Sequence, residues 1–112
     1  MKFYVGERTN QGCEVMVLDA GHAGGGYLLD PRLDLRNHSP TGFSWGYSGS
    51  GPAQLSLALL ADALGDDRKA QEHYQEFKRR IIAPLEDNHF ELSAEDIRQT
   101  VAHIEAQRGR RL

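Results

Sequence analysis

The stretch from Pro52 to Leu64 constrains this chain more than any other. Leu55, Leu57, Ala58, Leu59, Leu60, Ala61, Ala63 and Leu64 put apolar side chains on nearly every face of a helix. A helix that is apolar all round has to be central and buried. Gly51 is placed to cap it, Pro52 suits the first helical position, and Gln54 stands where a side chain reaches back to the cap. Gly65 ends it. In a chain of 112 residues, one such helix leaves room for a single domain, residues 1–112, with every other element wrapped around it.

Those other elements read as follows. Lys2 to Val5 is short, aromatic and β-branched, and Gly6 punctuates it, which predicts a first strand. A turn at Gln11-Gly12 leads into Cys13 to Leu18, nearly continuously apolar, so at least one face of this second strand is well buried. The glycines between Asp19 and Gly26 form a turn, Tyr27 to Leu29 is a third strand, and Asp30-Pro31 stops it. Connections this short allow only an antiparallel meander. After the central helix, Asp66 or Asp67 starts a second one, with Ala70, Tyr74, Phe77 and Ile81 in one stripe and Lys69, Glu72, Glu76 and Arg79 opposite, closed by Pro84. Phe90 to Leu92 is either a short strand or an extended link. Ser93 and Asp96 cap a third helix, striped by Ile97, Val101 and Ile104 and ended by Gly109. The fold class is α+β: a small N-terminal antiparallel β-meander packed on three helices, in the order β-β-β-loop-α-α-(β)-α.

Composition narrows the function. A formal net charge of −3 and a pI near 5.9 argue against bulk binding to nucleic acid; the candidate for a local basic face is the C-terminal run Arg108, Arg110 and Arg111. Cys13 stands alone, reads as a small buried hydrophobe, and rules out an intrachain disulfide. No run of about 18 apolar residues exists to span a membrane, and no secretory signal is visible, so a cytoplasmic setting is expected. His22, His38, His73, His89, His103 and Cys13 show no metal-ligand spacing, and His73 and His103 read as boundary or surface histidines. No metal or cofactor is expected. Ser39, Ser44, Ser48 and Ser50 lie near His38, Asp30 and Asp34, but the Gly-x-Ser-x-Gly elbow is missing and no catalytic residue is assigned.

Residues 31 to 51 carry no period yet are rich in aromatics, hydroxyls and glycines, which marks an ordered loop with a task. Two tasks suggest themselves. Ser48, Gly49, Ser50, Gly51 and Gln54 surround a helix N-terminus, where free N–H groups and the helix dipole favour an anion or nucleotide; the plainer reading is a loop that caps the helix. Neither the Walker nor the dinucleotide pattern is present. His38, Phe43, Trp45 and Tyr47 are the candidate partner-binding residues. Phe43, Trp45 and Tyr47 alternate and would share one side of an extended segment; the plainer reading packs them as a lid on the core.

The run from Asn37 to Leu55, NHSPTGFSWGYSGSGPAQL, together with Tyr74-x-x-Phe77-Lys78, resembles the signature of a family of small uncharacterised proteins. They occur in bacteria, archaea and their phages and mobile elements. The resemblance covers residues 1 to 92 and carries no activity or catalytic residue. It implies a mobile-element setting, in which small acidic proteins work by binding and blocking a host protein. The leading expectation is therefore a non-enzymatic protein-binding module, with a phage or mobile-element inhibitor of a host defence complex as its specific form. An anion- or nucleotide-binding protein is the alternative, and a nucleic-acid binder using the C-terminal arginines ranks last. No oligomeric state follows from the sequence.

Overall fold

The structure, a computed structural model, describes residues 1–110, and of Arg110 the backbone alone. Arg111, part of the basic cluster, lies outside the described residues. Strands β1 (Lys2–Thr9) and β2 (Gly12–Asp19) form a hairpin with pairs from Lys2↔Asp19 to Thr9↔Gly12. The short β3 (Gly26–Leu28) adds to β2 at Met16–Leu18, and β4 (His89–Ser93) adds to the other side of β1. The sheet has four strands in the order β3-β2-β1-β4, antiparallel throughout. Phe90 to Leu92 is thus a strand.

β1 runs four residues past the Val5 that the sequence suggested as its end, and the reason lies in Gly6. The ring of Phe90, its partner across the ladder, lies over it, and a Cβ at position 6 would sit 2.1 Å from that ring. The glycine marks a close approach inside a strand, not a stop.

Helix α1 spans Ser50–Leu64, with every residue from Gly51 to Ala61 buried. Its N-cap is Gly49 rather than Gly51, so Pro52 falls third in the helix, still within the first turn where an N–H has no helical partner. Gly65 closes it in a left-handed conformation, φ 63°, and donates to the carbonyl of Ala61. Helix α2 (Asp67–Phe77) starts at Asp66, whose carboxylate accepts the N–H of Lys69 at 3.1 Å. It passes into a π-helical turn, Lys78–Ile82, before Pro84. The extra residue of that turn rotates the stripe, so Ile82 rather than Ile81 is fully buried. Helix α3 (Ala94–Arg110) is capped by the Ser93 hydroxyl at the Asp96 N–H and continues through Gly109 instead of ending there.

The helices cover one face of the sheet. Tyr4, Val15 and Val17 from that face join Leu55, Leu57, Leu59, Leu60, Tyr74, Phe77, Ile97, Val101 and Ile104 in one core. His73, which the sequence placed at the surface, is 3% exposed, because α2 turns it toward α3, where Nε2 lies 3.4 Å from a Glu105 oxygen. Cys13 is half-buried against the core.

Leu59 is completely buried at the centre. Leu59→Ala is expected to cost about 2–5 kcal/mol in chemical denaturation, the range for truncating a buried leucine. A loss below about 0.5 kcal/mol, typical of surface positions, would contradict its place in the core.

Candidate functional site

The long loop is ordered by one side chain. Gln54 projects from the buried α1, 0% exposed. Its Oε1 accepts the N–H groups of His38 at 2.8 Å and Ser39 at 3.1 Å. Its Nε2 donates to the carbonyls of Pro31 at 2.5 Å and Arg36 at 3.0 Å. A carboxamide offers two donors and two acceptor sites, so every valence is engaged. Gln54 holds the loop instead of reaching back to the cap, and none of its polar atoms is left for an anion. The same clamp carries His38 to α2, where Nε2 meets the Tyr74 hydroxyl at 2.7 Å, not a serine.

The three aromatics part company. Trp45 is 0% exposed; its indole N–H donates to the carbonyl of Asp87 at 2.8 Å, and its ring meets Phe90 edge-on. Phe43 is half-buried against the core. Tyr47 is 52% exposed. They do not share one side, because Gly46 takes φ 87° and breaks the alternation between Trp45 and Tyr47. Arg8 lies over the Trp45 ring, 4.8 Å from its centroid, and donates to the Trp45 carbonyl at 2.9 Å.

At the helix N-terminus, Ser48 and Ser50 are exposed, Gly49 is half-buried and Gly51 is buried. The Ala53 N–H is spent on the Gly49 carbonyl, and Pro52 has none, so only the N–H groups of Ser50 and Gly51 lack a helical partner. The Tyr47 ring packs against Gly49, where a Cβ would come within 2.6 Å of it.

Elsewhere, Asp62 on α1 ties helix to sheet. It accepts from the hydroxyls of Tyr4 at 2.5 Å and Tyr27 at 2.8 Å and pairs with Lys2 at 3.3 Å. Burial first, then the Asp62 carboxylate, pushes the Tyr4 phenol far above its ordinary range, and burial raises Tyr27 as well. Both phenols stay protonated and act as donors. Among the described residues no group of three or more His, Cys, Asp or Glu converges to hold a metal.

The sequence reading missed the far face of the sheet. Side chains alternate along a strand, so with Tyr4, Val15 and Val17 turned to the helices, their neighbours face the other way. Cross-strand pairs place Phe3 beside Leu18, Val5 beside Met16, and Met16 beside Leu28. Phe3, Leu18 and Leu28 are exposed, Leu28 at 60%. One edge of this apolar block is acidic: Glu91 pairs with Val5, and Glu7 lies between Glu14 and His89. The signal was present in the unbroken apolar run Val15-Met16-Val17-Leu18, which is apolar on both faces although helices cover only one.

These features define a two-layer α+β protein whose central helix clamps a long loop and whose sheet is open on one side. The chain matches the family of unknown function DUF6166 over residues 4–103 and belongs to it. No curated protein and no solved structure matches it.

Gln54→Ala strands two N–H groups and two carbonyls; buried groups left unpaired cost about 1–3 kcal/mol each, so a total loss of at least about 2 kcal/mol is expected in denaturation. Gln54→Glu keeps both accepted bonds, and only when protonated can its single O–H donate to one of the two carbonyls, Pro31 or Arg36, which raises its folded pKa. Its stability should therefore be highest in acid and fall as pH climbs past the ordinary glutamate value of about 4.3. A flat pH profile would contradict the clamp.

Hydrogen bonds to Glu91 first and Glu7 second raise the His89 pKa. An NMR titration should find its midpoint above the ordinary value of about 6.5, and Glu91→Gln should lower it. Because the folded value is raised, the stabilisation is complete below that ordinary value and fades as pH rises through the folded midpoint. A midpoint unmoved by Glu91→Gln would contradict the pairing.

Proposed function

We propose that this chain is a non-enzymatic protein-binding module whose partner seats on the open face of the sheet. The observation that carries the reading is the apolar block on that face, in which Phe3, Leu18 and Leu28 are exposed around the half-buried Val5 and Met16. Exposed apolar side chains grouped in one place and edged by charge mark contact surfaces.

The partner's chemistry follows from size and charge. Two side-chain rows across three strands cover roughly 200 Å² at ordinary strand spacings. A stable interface takes about 800 Å² from each partner, so the partner must also cover the acidic edge of Glu7, Glu14 and Glu91. It therefore brings an apolar centre flanked by lysine or arginine. A second copy is a poor fit, since the outward positions of the four strands hold no lysine or arginine. The resemblance of the 37–55 segment supports the finer form of this reading, a phage or mobile-element product that works in the cytoplasm by occupying a surface of a host defence complex. The anion reading has less support, because the Gln54 amide is consumed by the loop.

Leu18→Glu with Leu28→Glu should leave stability within about 0.5 kcal/mol per site, as at other exposed positions. It should weaken binding of the partner by about 100-fold or more, as loss of central anchors does. The test is capture from host lysate followed by titration of the purified captured protein against both forms. Equal binding by both forms would overturn the reading. So would a wild-type dimer in sedimentation that the double variant dissolves, since the face would then be occupied by a second copy.

A further inference from the structure

On the other side of β1, toward the helices, lies a groove of about 480 Å³ lined by Arg8, Trp45, Gly46, Tyr47, Pro84 and Leu85. That volume is in the range of small-molecule sites. Arg8 is fixed in it on all sides. Its guanidinium lies on the Trp45 ring, and Nε donates to the Asn88 side-chain oxygen at 3.1 Å, Nη1 to the Trp45 carbonyl at 2.9 Å and Nη2 to the Asp87 carbonyl at 3.4 Å. All three acceptors are neutral. Among the described residues no carboxylate pairs with Arg8, and Glu86 at the groove wall is exposed and makes no ion pair with it.

Three bonds from five N–H donors leave two free, one on each terminal nitrogen. That is the number an end-on carboxylate takes from an arginine. Position 46 keeps the space beside them open: a Cβ there would lie 2.8 Å from the Leu85 carbonyl oxygen and 3.6 Å from Arg8 Nη2. The half-exposed Tyr47 ring, Pro84 and Leu85 supply an apolar wall.

We propose that this groove binds a carboxylate carried on an apolar or aromatic group, with Arg8 gripping the carboxylate and Tyr47 covering the apolar part. The site is independent of the open sheet face. The carboxylate comes either from a small organic acid or from the C-terminus of a peptide ending in an apolar residue.

The test is an NMR titration of the protein with N-acetylphenylalanine, followed at the Arg8 Nε–H and the Trp45 indole N–H. Saturable shifts are expected, with affinity at least tenfold above that of N-acetylphenylalaninamide, which lacks the charge. Arg8→Lys keeps the charge but loses the fork and should weaken binding about tenfold or more. Since Arg8 also braces the loops, Tyr47→Ala at an exposed position is the second variant; it should weaken binding severalfold at unchanged melting temperature. A tetrapeptide ending in free phenylalanine that binds tighter than N-acetylphenylalanine identifies a peptide C-terminus, and equal binding identifies a small acid. No saturation by about 10 mM, equal affinity for the amide or for inorganic phosphate, or no effect of Tyr47→Ala would overturn the proposal.

Discussion

The loop between the sheet and the central helix depends on a single buried carboxamide. Gln54 sits in a helix otherwise sheathed in leucine and alanine, and an amide buried there without partners would be costly. The loop answers by wrapping its backbone around the amide until all four bonds close. Once closed, the clamp fixes the path of residues 31 to 39. Arg32, in a left-handed conformation at φ 55°, then reaches Asp67 at the start of α2 at 2.8 Å and Asp34 in its own loop at 3.0 Å. His38 reaches Tyr74 further along the same helix. An irregular segment thus gains order without regular secondary structure, since its groups are satisfied by side chains.

Much of the helical layer was legible in the sequence because helices advertise themselves locally. The all-round apolar run of α1, the Asp66 and Ser93 caps, and the stripe of Ile97, Val101 and Ile104 need no knowledge of distant residues. The strands were legible as strands but not in extent or company. Gly6 reads as a break until Phe90, 84 residues away and paired with it, is known to lie over it. Likewise the π turn at Lys78–Ile82 leaves no mark in the spacing of Ile81 and Ile82, and it moves the burial by one residue.

The candidate site was legible in part for the same reason. The 37–54 segment is ordered, yet its residues divide among different tasks. Gln54 and Trp45 face inward and hold the molecule together, while Tyr47, Ser48 and Ser50 face out. What separates Trp45 from Tyr47 is one backbone angle at Gly46, invisible to alternation. The open sheet face escaped notice because exposure depends on which side the helices choose. The stretch Val15 to Leu18 is equally apolar either way; only the three-dimensional arrangement leaves Met16 and Leu18 outside.

The strand order β3-β2-β1-β4 has a further consequence in time. β1 is an interior strand whose neighbours come from opposite ends of the chain: β2 follows after two residues, β4 only at His89. During synthesis the hairpin can form early, but the free edge of β1 stays unpaired until nearly the whole fold has emerged. Distant pairings of this kind close slowly, because the intervening chain must be ordered first. An uncovered edge carrying Phe3 and Val5 is meanwhile a template for other strands. Arrival of the strand His89–Ser93 therefore seals that edge and lays Phe90 on Gly6 and Trp45 in the same movement, leaving α3 to complete the core with Ile97, Val101 and Ile104.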